Sequence, residues 1–105
     1  MTWDPCEGAT PEARALYDYM SYLSEECYCA GWMDGTEAAC WEAMRDGDTW
    51  WGMGYIAPYQ ARELKRLSDA AGGWWHWPPG ICVGLPQFVT IPEWEAIYAR
   101  KWQRR

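Results

Sequence analysis

Ten of the 105 residues are tryptophan, and no other feature so limits what this chain can become. Each large aromatic side chain removes about 150–250 Å² from water, so ten could claim about 2,000 Å². A domain of this length has a radius of gyration of about 13 Å and buries roughly two-thirds of the surface its unfolded chain exposes. Trp is seldom buried completely because it is so large. Several rings are therefore expected at the surface, where aromatic area marks contact sites. The competing reading is that Trp replaces the usual large apolar residues as core, in a chain with a single Phe.

The rest of the composition, 50% hydrophobic and 23% charged, fits one folded domain over residues 1–105. It does not fit a disordered tail, a collagen repeat or a coiled coil. No run approaches the roughly 20 apolar residues needed to span a bilayer. Met1-Thr2-Trp3-Asp4-Pro5 lacks the basic start and apolar run of a secretory signal. The five cysteines (Cys6, Cys27, Cys29, Cys40, Cys82) are odd in number and match no disulfide framework, so reduced thiols and a cytoplasmic location are expected.

Charge is divided unevenly. Residues 1–50 sum to -9 and residues 51–105 to +3, for a net -6. That division predicts an acidic face and a basic face. The acidic face would repel duplex nucleic acid and attract basic surfaces. Pairing of the two halves between chains would also allow a homo-oligomer.

Thr10-Pro11-Glu12 has the residue order of a helix start: a capping hydroxyl, proline at the first helical position and an acid at the positive end of the dipole. Leu16, Met20, Leu23, Cys27 and Ala30 continue it as an apolar stripe, widened by Tyr17, Tyr19 and Tyr22. One unbroken helix from Pro11 to Arg45 would be about 52 Å long, which exceeds the domain. It would also carry Gly31 and Gly35 at about 1 kcal/mol each. We therefore read a break near Gly35, with Thr36 capping a second helix through Met44. Thr49 to Tyr55 reads as a glycine-rich aromatic loop. Pro58 to Ala71 reads as a helix with Gly72 as its left-handed stop. Trp74-Trp75-His76-Trp77 and Gln87-Phe88-Val89-Thr90 read as two strands able to pair. Thr90-Ile91-Pro92-Glu93 is a capping box opening a last helix whose apolar side is Trp94, Ile97, Tyr98 and Trp102. The expected fold class is α+β and mostly α-helical: three to four helices with one short two-stranded antiparallel ribbon.

Three constellations could carry function. Glu25, Glu26, Asp34, Glu37 and Glu42 crowd the acidic half and form a candidate partner-binding face. Trp50, Trp51, Tyr55, Trp75 and Trp77, beside the basic strip Arg62, Lys65 and Arg66, form a candidate nucleotide site of rings and cations. The same acids, with Asp34 and Glu37 three residues apart, could hold magnesium for nucleotide hydrolysis. Zinc is not expected, because Cys27 and Cys29 would point about 200° apart on a helix. His76, the single histidine, is expected to be a structural ring bonded to backbone. No phosphate loop and no catalytic residue set stands out, so no cofactor, metal or enzymatic activity is expected.

At Glu26-Cys27-Tyr28-Cys29-Ala30-Gly31-Trp32-Met33 and at Gly72-Gly73-Trp74-Trp75 the chain resembles small uncharacterised proteins of bacteriophage and prophage genomes. That resemblance implies an anti-defence role of the anti-CRISPR kind. The leading expectation is a non-enzymatic protein that inhibits a host nucleic-acid-targeting complex by covering its basic surface. A nucleotide sponge and a metal-dependent nucleotide hydrolase are the alternatives.

Overall fold

The computed structural model describes residues 6–26, 32–47, 50–51, 54–77 and 86–101, with side chains outside the description at 25–26, 32–35, 50–51 and 54. The elements run in the order α1 (Pro11–Glu26), α2 (Trp32–Asp46), β1 (Trp50–Trp51), β2 (Gly54–Tyr55), α3 (Pro58–Ala71), β3 (Gly73–His76), β4 (Gln87–Thr90) and α4 (Ile91–Lys101). The fold is α+β and mostly helical, as the sequence predicts. The Cα radius of gyration is 12.8 Å.

The helix signals written in the sequence are used as read. The Thr10 hydroxyl accepts the Ala13 N–H at 3.1 Å at the start of α1. At the start of α4 the Glu93 carboxylate accepts the Thr90 N–H at 3.0 Å and its hydroxyl at 2.7 Å, while Thr90 Oγ1 accepts the Glu93 N–H at 3.3 Å. These bonds hold the Glu93 carboxyl below its usual range. α3 begins at Pro58 and ends at Gly72, whose φ of 77° is left-handed and whose N–H bonds the Ser68 carbonyl at 2.8 Å.

Two readings need correction. α1 and α2 are separate helices, but α2 begins at Trp32, so Gly35 and Thr36 lie inside it and Thr36 is no cap. Burial explains why α2 extends through a glycine: every residue from Thr36 to Ala43 is buried, and the helix touches α1, α3, β1 and β3. Packing on all sides outweighs a propensity loss of about 1 kcal/mol. The second correction is at Thr49 to Tyr55, where Trp50–Trp51 and Gly54–Tyr55 pair as a second small antiparallel ribbon.

The main ribbon pairs Gly73 with Thr90, Trp74 with Val89, Trp75 with Phe88 and His76 with Gln87. All four β3 residues are buried, so both faces of this strand are covered. Trp74 packs edge-on against Trp41 (5.5 Å between centroids) and tilted against Trp94 (6.3 Å). Trp75 turns the other way, against Tyr17 (5.5 Å) and Phe88 (5.3 Å), and its Nε1 donates to the Ala13 carbonyl at 2.7 Å. Cys6 and Cys40 sit in the same core.

Gly73 is required by close approach. A Cβ there would press on the Val89 carbonyl oxygen and lie 2.7 Å from Phe88 Cζ. Gly73→Ala is expected to destabilise the fold by about 1–3 kcal/mol, the range for overpacking. Hydrogen exchange would show protection lost first across β3 and β4. An unchanged unfolding midpoint would contradict the close approach.

Candidate functional site

The centre of α2 brings a carboxylate into the core. Glu37 is fully buried. Its two oxygens lie 3.2 and 3.1 Å from His76 Nδ1, and Oε2 also accepts the Trp77 N–H at 2.9 Å. Its backbone carbonyl accepts the Trp74 indole N–H at 3.3 Å. With the imidazole neutral, Nδ1 carries the proton toward Glu37, which fixes tautomer and ring orientation. The sequence reading had His76 bonded to backbone; its partner is instead a side chain from an element 39 residues away. This pair ties α2 to the end of β3.

Five residues along α2, Glu42 is also buried, and its Oε1 accepts the Tyr98 hydroxyl at 2.7 Å. Glu42 Oε2 is buried with no hydrogen bond among the described residues. Arg45 closes this corner. Its guanidinium lies 5.2 Å from the Tyr98 ring centroid and 5.6 Å from that of Trp41, and it pairs with Asp46 at 2.8 Å. Burial, then the hydrogen bond to Glu42, holds the Tyr98 phenol far above the usual tyrosine range.

A phenol whose pKa is raised on folding contributes stability that is complete below the unfolded value of about 10 and is lost as pH rises above it. Tyr98→Phe is therefore expected to be less stable than the parent by about 1–3 kcal/mol at neutral pH, since it leaves the Glu42 carboxylate buried without its donor. That deficit should shrink above about pH 10. Urea unfolding of both proteins across that range checks the sign; a deficit independent of pH would refute it.

The predicted acidic face does not assemble as expected. Glu37 and Glu42 are core residues, so neither can meet a partner's basic surface. α2 is covered on every side between Thr36 and Ala43, and its acids are buried with it. The side chains of Glu25, Glu26 and Asp34 lie outside the description. Among the described residues no group of three or more His, Cys, Asp or Glu side chains converges on one point.

The predicted ring-and-cation site divides in the same way. Trp75 and Trp77 are 3% and 6% exposed, too little for a base to stack on either. The cause is the second covered face of β3, where α1 lays Tyr17 against both rings. Trp50 and Trp51 fall outside the described side chains. Tyr55, Arg62, Lys65 and Arg66 are exposed. Lys65 pairs with Asp69 at 3.0 Å and Arg66 with Glu63, so much of the strip's charge is balanced on its own helix. Arg62 makes no such pair among the described residues.

Among the described residues the aromatic side chains that reach solvent are Tyr22, Tyr55, Tyr59 and Phe88. All five tryptophans with described side chains (Trp41, Trp74, Trp75, Trp77, Trp94) are buried, whereas Tyr59 is 63% exposed and Tyr22 48%. Tyr22 stacks on Tyr19 at 5.9 Å. Burial, then the nearby Glu63, Tyr59 and Tyr22, raises the Tyr19 phenol, and α1 and α3 are in contact. The signal was present in the sequence. At 100° per residue, Tyr22 lies about 120° from the middle of the α1 stripe (Leu16, Met20, Leu23, Cys27, Ala30), and Tyr59 about 140° from the middle of the apolar side of α3 (Ala57, Ala61, Leu64, Leu67, Ala71). No protein-family model, no curated protein and no solved structure matches the chain.

Proposed function

We propose that this chain is a non-enzymatic binding protein whose contact surface is the tyrosine-bearing seam of α1 and α3. The observation that carries this reading is the contrast in exposure: the described indoles are in the core, while Tyr22 and Tyr59 stand in solvent beside half-buried Tyr19. Tyrosine supplies large contact area with little rotamer entropy to lose, and it is enriched in interface cores.

α1 carries Glu12, Asp18, Glu25 and Glu26 against Arg14, a charge balance that steers it toward a basic partner. On the resemblance expected at residues 26–33 and 72–75, the proposed partner is a nucleic-acid-handling component of a host defence complex. The acidic contribution then comes from α1, because Glu37 and Glu42 of α2 are spent in the core.

The test is affinity capture from bacterial lysate with the parent and the Tyr22→Ala/Tyr59→Ala double variant. Exposed substitutions of this kind change stability by no more than about 0.5 kcal/mol each, so both proteins should fold. A nucleic-acid-binding partner retained by the parent, released by raised salt and lost to the double variant is the expected result. Equal capture by both proteins would reject the seam. A partner insensitive to salt would reject the steering.

A further inference from the structure

Between α2 and α3 lies a cleft of about 310 Å³, lined by Ala43, Met44 and Gly47 on one wall and by Pro58, Ala61, Arg62 and Lys65 on the other. Its volume is at the lower end of small-molecule sites, about 300–1,000 Å³. The floor is apolar: Met44 and Ala61 are half-buried and pack against the core. The only charges among its described lining residues are the two cations. They are not equivalent. Lys65 already meets Asp69 at 3.0 Å. Arg62, one turn earlier on α3, has no ion pair among the described residues, although every other described cation of that helix has one.

We propose that this cleft binds a small amphipathic carboxylate, whose apolar body lies on Met44 and Ala61 while its carboxylate meets Arg62. Two independent features select that class. An apolar floor alone would take a neutral hydrophobe, and a cation alone would take any anion. A guanidinium with no ion pair among the described residues, bordering a methionine floor, asks for both properties in one ligand, and a guanidinium binds a carboxylate through two parallel hydrogen bonds. The cleft's described lining includes none of the seam tyrosines, and the proposal does not depend on the protein-binding reading.

The test is titration of the full chain with octanoate and with 2-naphthoate, followed by amide chemical shifts. Shifts centred on Ala43, Met44, Ala61 and Arg62 are expected. Octanamide, which keeps the body without the charge, should bind at least tenfold more weakly. Acetate, which keeps the charge without the body, should leave these amides unmoved. Arg62→Ala should weaken octanoate at least tenfold. Arg66→Ala, on the same helix but outside the cleft, should leave affinity unchanged. Arg62 is exposed, so its loss leaves the fold intact, and the amide spectrum verifies that. Octanamide binding as tightly as octanoate would overturn the proposal, as would an Arg62→Ala variant with parental affinity. The absence of shifts with both carboxylates would do the same. Hexaglutamate shifting these amides where the small acids do not would assign the cleft to an acidic protein segment and overturn it too.

Discussion

Replacing Glu37 with alanine is expected to cost about 2–6 kcal/mol, because two donors inside the core lose their acceptor at once. The carboxylate accepts from His76 Nδ1 and from the Trp77 N–H inside the core. Each donor left without an acceptor costs about 1–3 kcal/mol. A domain of this kind has only about 5–15 kcal/mol of total stability, so the variant should unfold at much lower urea. Glu37→Gln should cost less, because one amide oxygen can still accept from both donors. The pair acts as a unit if Glu37→Ala and His76→Ala together cost less than their sum by at least about 1 kcal/mol. Strict additivity in that cycle would show that the carboxylate and the imidazole do not depend on each other.

Trp94→Ala is the second large effect, about 3–5 kcal/mol, as for other buried aromatic truncations. Trp94 is fully buried, and its ring meets those of Trp41, Trp74, His76 and Tyr98 at 6.0–6.3 Å. Trp94 and Tyr98 are the two buried residues of α4, and Ile91 and Ile97 pack half-buried against the same core. Hydrogen exchange should therefore show α4 opening before α1 or α3 in this variant. Uniform loss of protection across all four helices would mean that α4 is not held chiefly by this ring. Trp94→Phe, which keeps a ring in the cavity, should recover part of the loss.

Much of the backbone was legible in advance because its signals are local. Thr10, Pro58, Gly72 and the Thr90–Glu93 box each act on amides or carbonyls within four residues, and each does in the structure what its chemistry predicts. β4 was readable at Gln87–Thr90 for the same reason. The failures share the opposite property. Gly35 looked like a break because propensity was weighed without knowing that α2 is packed on every side. Trp75 and Trp77 looked half available because a strand in a two-stranded ribbon usually shows one face to water, but here α1 covers that face. Glu37 and Glu42 looked like surface because carboxylates usually are.

The chain's own residues thus determined where α1, α3 and α4 begin, where α3 stops, that β3 and β4 pair, and that so many indoles demanded an unusual core. They did so through short-range hydrogen bonding and periodicity. Only the tertiary structure decided which side of each element meets water. That choice depends on what packs against it from tens of residues away, and it moved the described indoles, Glu37 and Glu42 inward while leaving Tyr22, Tyr59 and Arg62 in solvent.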